Sequence, residues 1–212
     1  MIRYFHIAFS LLFALSCQET PLQPGETRDL IPLSVGNYWV FEQTNYDSLG
    51  NMTSIEPHDT IEIVGDTTIG GIIWSYKYYL GVLLAYRNSP AGILIRLVSK
   101  NSDATVKLIY KFPAEITDTY PYPVVWFGVS PTRLVDSLYQ CFVMARDTLV
   151  TVPAGSFQCY KYRYIDIGGP YLHDVYIAPE HGWVKTETYV TLRSGTGYFL
   201  KSIANAIEIN IN

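Results

Sequence analysis

Histidine, cysteine and charge are all scarce in this chain, and each shortage removes a class of function. Beyond the leader the only histidines are His58, His173 and His181. None of them stands at the His-x-His or His-x-x-x-His spacing that aims two imidazoles at one metal ion, so no metal and no cofactor is expected. No Gly-x-Ser-x-Gly elbow, glycine-rich phosphate loop or Cys-His pairing is present, which removes the usual signatures of a serine hydrolase, a nucleotide-binding enzyme and a thiol enzyme. Charged residues are only 16% of the 212, with 15 basic against 19 acidic for a net charge of −4. That balance excludes nucleic acid and anionic headgroups as the main partner. No apolar run is long enough for a membrane-spanning helix, since the longest, Tyr4 to Leu15, falls short of the roughly 18 residues required.

That short run nevertheless has a purpose. Arg3 precedes it and Ala14-Leu15-Ser16-Cys17 ends it, a charged start, an apolar middle and small residues before a cysteine. Residues 1–16 therefore read as a signal peptide, and the cleavage site resembles the bacterial lipobox, with Ala14 where Leu is commoner. The resemblance implies acylation of Cys17, a membrane anchor carrying palmitate-type chains, and, with Gln18 next to the cysteine, the outer membrane of the cell envelope. Residues 17–29, with Pro21, Pro24 and Gly25 and few apolar side chains, read as a flexible tether, leaving 30–212 as a single domain. Losing Arg3 with the leader takes the net charge from −4 to −5.

Aromatic residues are what the chain has in excess, 15% of it with 18 Tyr. Most sit in strand-length runs that alternate with polar residues, such as Trp74, Tyr76 and Tyr78, or Tyr160, Tyr162 and Tyr164. Turn residues break these runs at short intervals. The pattern predicts an all-β antiparallel domain, either one strongly curved sheet forming a half-barrel or a β-sandwich, with at most one short helix at Thr132 to Tyr139. Pro153 and Gly155 predict a three-residue hairpin loop, with Val152 facing Ser156, Asp147 facing Lys161 and Cys159 facing Leu149. Residues 60–64 and 72–80 are expected to pair across a turn at 65–71. Pro113 to Pro131 contains four prolines and is expected to be a long loop crossing the sheet.

Aromatics on such a loop point to ligand contact, so Tyr120, Tyr122, Trp126 and Phe127 are the candidate binding residues, as a lid over a cavity or a platform for sugar rings. His173, Asp174, Glu180 and His181 could form a hydrolytic or zinc cluster if their strands pair, although a solvated turn at 179–182 explains them as well. Cys141 and Cys159 would lie about 26 Å apart in the expected register, too far for a bridge unless the chain leaves the hairpin early. The same register puts Arg146 on the face of Tyr162, which requires a bulge, a stacked arginine or an incompletely buried face.

Three segments together resemble a recurrent class of bacterial lipoproteins of unknown function. They are Pro32-Leu-Ser-Val-Gly-Asn-Tyr-Trp39, Val152-Pro-Ala-Gly-Ser-Phe157 and Ala178-Pro-Glu-His-Gly-Trp-Val-Lys185, in the order usual for that class. Ser156 stands where Thr is common and His181 where an aliphatic residue is. The resemblance implies a curved antiparallel sheet like the half-barrel of periplasmic lipoprotein-localisation carriers, with no assigned activity or site residues. The expectation is a non-catalytic, lipid-anchored module that binds a glycan or an envelope protein. The alternative is a carrier holding an acyl chain or other apolar ligand in the concave face; a hydrolase ranks below both.

Overall fold

Alternating aromatic and polar residues produce strands because each second side chain can be buried while its neighbours stay in water. The computed structural model of the protein describes residues 28–56, 59–79, 82–98, 105–126, 133–192 and 197–212, and it contains fourteen strands and no helix among them. The chain begins with β1 (Tyr38–Tyr46), β2 (Met52–Glu56) and β3 (Thr60–Glu62). It then crosses to a second sheet for β4 (Gly65–Ile69), β5 (Ile72–Tyr79), β6 (Val82–Ser89), β7 (Gly92–Leu97) and β8 (Lys107–Lys111). It returns for β9 (Thr119–Trp126), β10 (Arg133–Val152), β11 (Gly155–Asp166), β12 (Tyr171–Ala178), β13 (Gly182–Thr191) and β14 (Tyr198–Asn210).

The large sheet has the order β2-β1-β14-β13-β12-β11-β10-β9, with β3 also on β1, and is open at its ends; the small one is the meander β4-β5-β6-β7-β8. Leu84, Tyr86, Ile93, Ile95 and Tyr110 of the small sheet share one buried cluster with Trp39, Phe41, Val143, Tyr162 and Ile177 of the large. Tyrosine hydroxyls tie the two sheets at β8: Tyr162 donates to the Lys111 carbonyl (2.7 Å) and Tyr120 to that of Ile109 (3.2 Å). The two antiparallel sheets fit the sandwich alternative, and the buried cluster lies between them.

Several local expectations are corrected. Residues 133–139 belong to β10 and are not helical; β-branched Val135 and the ladder to β9 (Val135 opposite Val124) favour the strand. The proline-rich stretch is a loop only in part, since β9 runs through Pro121 and Pro123. It can do so because it is the last strand of the sheet, where the missing N–H groups need no partner. The partner of β5 is β4, residues 65–69, while β3 pairs with β1 in the other sheet. The C-terminal strand lies between β1 and β13 and is no edge.

The central hairpin turns on two residues, Pro153 and Ala154, with Gly155 at positive φ already opposite Val152. Its register is therefore one residue off the expected one, and irregularities between Val143 and Thr148 place Ala145 opposite Lys161 and Thr148 opposite Cys159. The same irregularity resolves the Arg146 conflict: Tyr162 is fully buried beside Val143, while Arg146 reaches Glu115 at 2.9 Å. Cys141 and Cys159 are free and buried. Cys141 faces Tyr164, five residues or about 16 Å along β11 from Cys159.

Candidate functional site

The three motif segments converge at one end of the large sheet. Trp39 on β1 donates its indole N–H to the His181 carbonyl (2.5 Å) and meets Trp183 edge to face, 5.0 Å between ring centroids. Gly182, at φ +78°, lies so close beneath the Trp39 ring that a Cβ there would be 2.7 Å from it. Asn37 is fully buried, donating to the Pro32 carbonyl (3.0 Å) and accepting from the Asn212 N–H (2.9 Å). Phe157 packs on the His181 ring (5.2 Å), and the Ala154 N–H bonds to the Ala206 carbonyl (3.1 Å). Leu30 and Ile31 are buried, and the Glu180 N–H donates to the Asp29 carbonyl (2.8 Å), so Arg28 and Asp29, read as tether, already belong to the fold.

A cleft of about 510 Å³ opens beside this knot, lined by Arg28, Arg146, Asp147, Phe157, Tyr160 and His181 with Leu149, Ser156, Gln158, Ala178 and Pro179 between them. Cations, one carboxylate and three rings in one open cleft suit a polar ligand with an apolar side. Two of its polar side chains have hydrogen-bond partners within the protein. Ser156 shares a hydrogen bond with Thr151 (2.9 Å). His181 Nδ1 lies 3.0 Å from the Pro179 carbonyl, which can only accept, so the proton sits on Nδ1.

The residues singled out from sequence are dispersed. Cys17 and Phe127 lie outside the described residues, and of Trp126 only the backbone, in β9, is described. Tyr122 is in the core rather than on a loop, stacked on Tyr164 (4.3 Å, 6° between planes), which in turn stacks on His173 (4.7 Å). On β10 between them, Cys141 is opposite Tyr164 on one side and Tyr120 on the other, and Tyr139 is opposite Tyr122. Tyr120 accepts from the Lys111 N–H (3.1 Å) as well as donating to β8. Burial raises the hydroxyls of Tyr110, Tyr120, Tyr122 and Tyr162, that of Tyr110 to about 12, so all four are neutral sheet-to-sheet ties.

His173, Asp174, Glu180 and His181 do not converge. His173 faces inward, bonded to Thr188 (3.1 Å), and burial pushes it down to about 4 against the pull of Asp174. Asp174 points to the opposite face and is fully buried under Arg163, which holds it at 2.6 and 2.7 Å, and Lys161 at 2.8 Å. Burial raises its carboxyl, but these bonds outweigh it and the net shift is downward. Beside it Glu187 takes Lys185 (2.6 Å), Tyr176 and Tyr189 (both 3.0 Å). His181 and Glu180 lie in the β12–β13 turn, and no group of three or more His, Cys, Asp or Glu placed to hold a metal occurs among the described residues. Sequence reasoning missed the cleft itself. Its signal was Arg146, whose charge could not be reconciled with the aromatic face of a regular ladder.

No known protein family and no curated protein matches the sequence. Two solved structures are similar to this chain. One is a candidate lipoprotein from Parabacteroides distasonis, 14% identical, with a TM-score of 0.45, covering 87% of this chain and 100% of that one. The other is an exported protein with a YmcC-like fold from Bacteroides fragilis, 15% identical, with a TM-score of 0.38 and the same coverage.

Proposed function

We propose that this protein is a non-catalytic binding module held on the bacterial cell envelope by a lipid on Cys17, with its ligand surface on the outside of the sandwich. The observation that carries this reading is the aromatic layer between the sheets. Tyr110, Tyr122, Tyr162 and Tyr164 pack ring on ring there, with Tyr110 and Tyr122 sharing a hydroxyl contact (3.3 Å), where a carrier would keep room for an acyl chain. The cleft between the central hairpin and the β12–β13 turn is then the first surface to test, because the motif segments converge beside it.

Native mass spectrometry of the detergent-purified protein, followed by solvent extraction, separates this reading from the carrier. The expected result is a mass explained by the chain and its covalent lipid alone. A stoichiometric apolar adduct that disappears with Tyr122→Ala would replace the surface module by a carrier.

A further inference from the structure

A second surface, on the other sheet, carries a sharper ligand assignment. β5, β6 and β7 turn Leu84, Tyr86, Ile93, Ile95 and Leu97 to the core, so the alternate residues face away from it. Register puts Ala85 between Tyr76 and Arg96, with Arg87 opposite Leu94 and Trp74 opposite Thr67, all on that outward face. Trp74 is only 3% exposed, since the guanidinium carbons of Arg87 and Arg96 lie 5.1 and 5.7 Å from the centre of its ring. Ala85, fully buried, is the small floor that allows these side chains to lie flat.

The Trp74 indole N–H and the Nε–H groups of both arginines are buried without a hydrogen-bond partner. Neither arginine has an ion pair among the described residues, and the strand positions on this face, from Thr67 to Leu108, include no Asp or Glu. Two guanidiniums on one ring repel each other, and three desolvated donors without acceptors are costly. An oxyanion offsets both, and planar guanidinium forks fit carboxylate or sulfate. Tyr78, 67% exposed on the same face, adds a ring suited to a sugar.

We infer that Trp74, Arg87 and Arg96 form an oxyanion site that binds the carboxylate or sulfate groups of an acidic polysaccharide. The site shares no residue with the cleft and stands whether or not the cleft binds anything.

The test measures binding of the full chain, in mild detergent, to polygalacturonate, heparin, neutral dextran and phosphatidylglycerol vesicles. Binding to either acidic polymer but not to dextran is expected, weakening with salt and falling about tenfold or more in the Arg87→Ala/Arg96→Ala protein. Arg87→Lys/Arg96→Lys, which keeps the charge and the coverage of Trp74, is expected to lose part of it, and serves if the alanine protein does not fold. Trp74→Phe removes the third donor together with part of the ring under the guanidiniums, and is expected to weaken binding several-fold. Binding to neither acidic polymer, or binding unchanged in both double variants, overturns the site. Variant-sensitive binding to the vesicles alone overturns the polysaccharide assignment in favour of lipid phosphate.

Discussion

A methyl group added at Gly182 would lie 2.7 Å from the Trp39 ring, on a backbone at φ +78° that side chains rarely adopt. Gly182→Ala is therefore expected to cost about 2 to 4 kcal/mol, from strain and overpacking together, read by denaturant unfolding. Asp174 carries the opposite kind of constraint, a buried charge that needs its partners. Asp174→Asn leaves Arg163 and Lys161 without their counter-ion and is expected to cost about 3 to 5 kcal/mol. Its lowered carboxyl also sets a pH dependence: this stabilisation is complete above the ordinary value of 3.8 and is lost as pH falls through the lower folded value. His173 acts in a higher window. Neutral in the fold down to about pH 4 but ordinarily titrating at 6.5, it makes stability fall as pH drops from 6.5 to 4. His173→Gln should flatten that slope, worth about 3 kcal/mol, in unfolding curves taken across the range. Burial also raises both thiols to about 12, so Cys141 and Cys159 should react with an aromatic disulfide reagent only after denaturation. At this scale the sequence was legible where alternation alone decides, as for Tyr162. It was illegible where a contact depends on strand pairing: the β12–β13 register sets His173 opposite Thr188 and Asp174 opposite Glu187 and leaves Glu180 and His181 in the turn.

Among the elements, the regular hairpins could be read directly: β6 and β7 across Pro90-Ala91, and β12 and β13 across the 179–181 turn. β9 could not, because proline is barred from a strand only where a neighbouring strand needs its N–H, and edge position is a tertiary fact. β4 was hidden by Gly65, which is there because Tyr76 lies over it; a Cβ would come 2.4 Å from the Tyr76 hydroxyl. The bulges of β10 were likewise invisible, although the misplaced charge of Arg146 announced that something had to give. The position of β14 yields the clearest test. Bonded to β1 on one side and β13 on the other, it joins the first strands to the rest of the large sheet, so removing residues 205–212 should abolish the fold, seen as loss of the strand signal in circular dichroism. A peripheral last strand would be dispensable.

For the whole molecule, the all-β class and the antiparallel arrangement were legible, while the choice between one curved sheet and a sandwich stayed open, because the crossing at Ile63-Val64 looks like any other short connection. Under the lipid-anchor reading, the twelve residues from Cys17 to Arg28 span at most about 40 Å, so the rim of the cleft that Arg28 forms stays near the bilayer. Cys17→Ser should remove both incorporation of an alkyne-tagged fatty acid and sedimentation with membranes. The pairing of β1 with β14 has one more consequence, for how the chain is delivered. Tyr38 faces Asn210 across the ladder, so the first strand waits for a partner far along the chain before its sheet is whole. Any vectorial delivery, from a ribosome or through a translocation pore, therefore leaves the large sheet unfinished until β14 has emerged, and keeps the segments before it threadable up to that point.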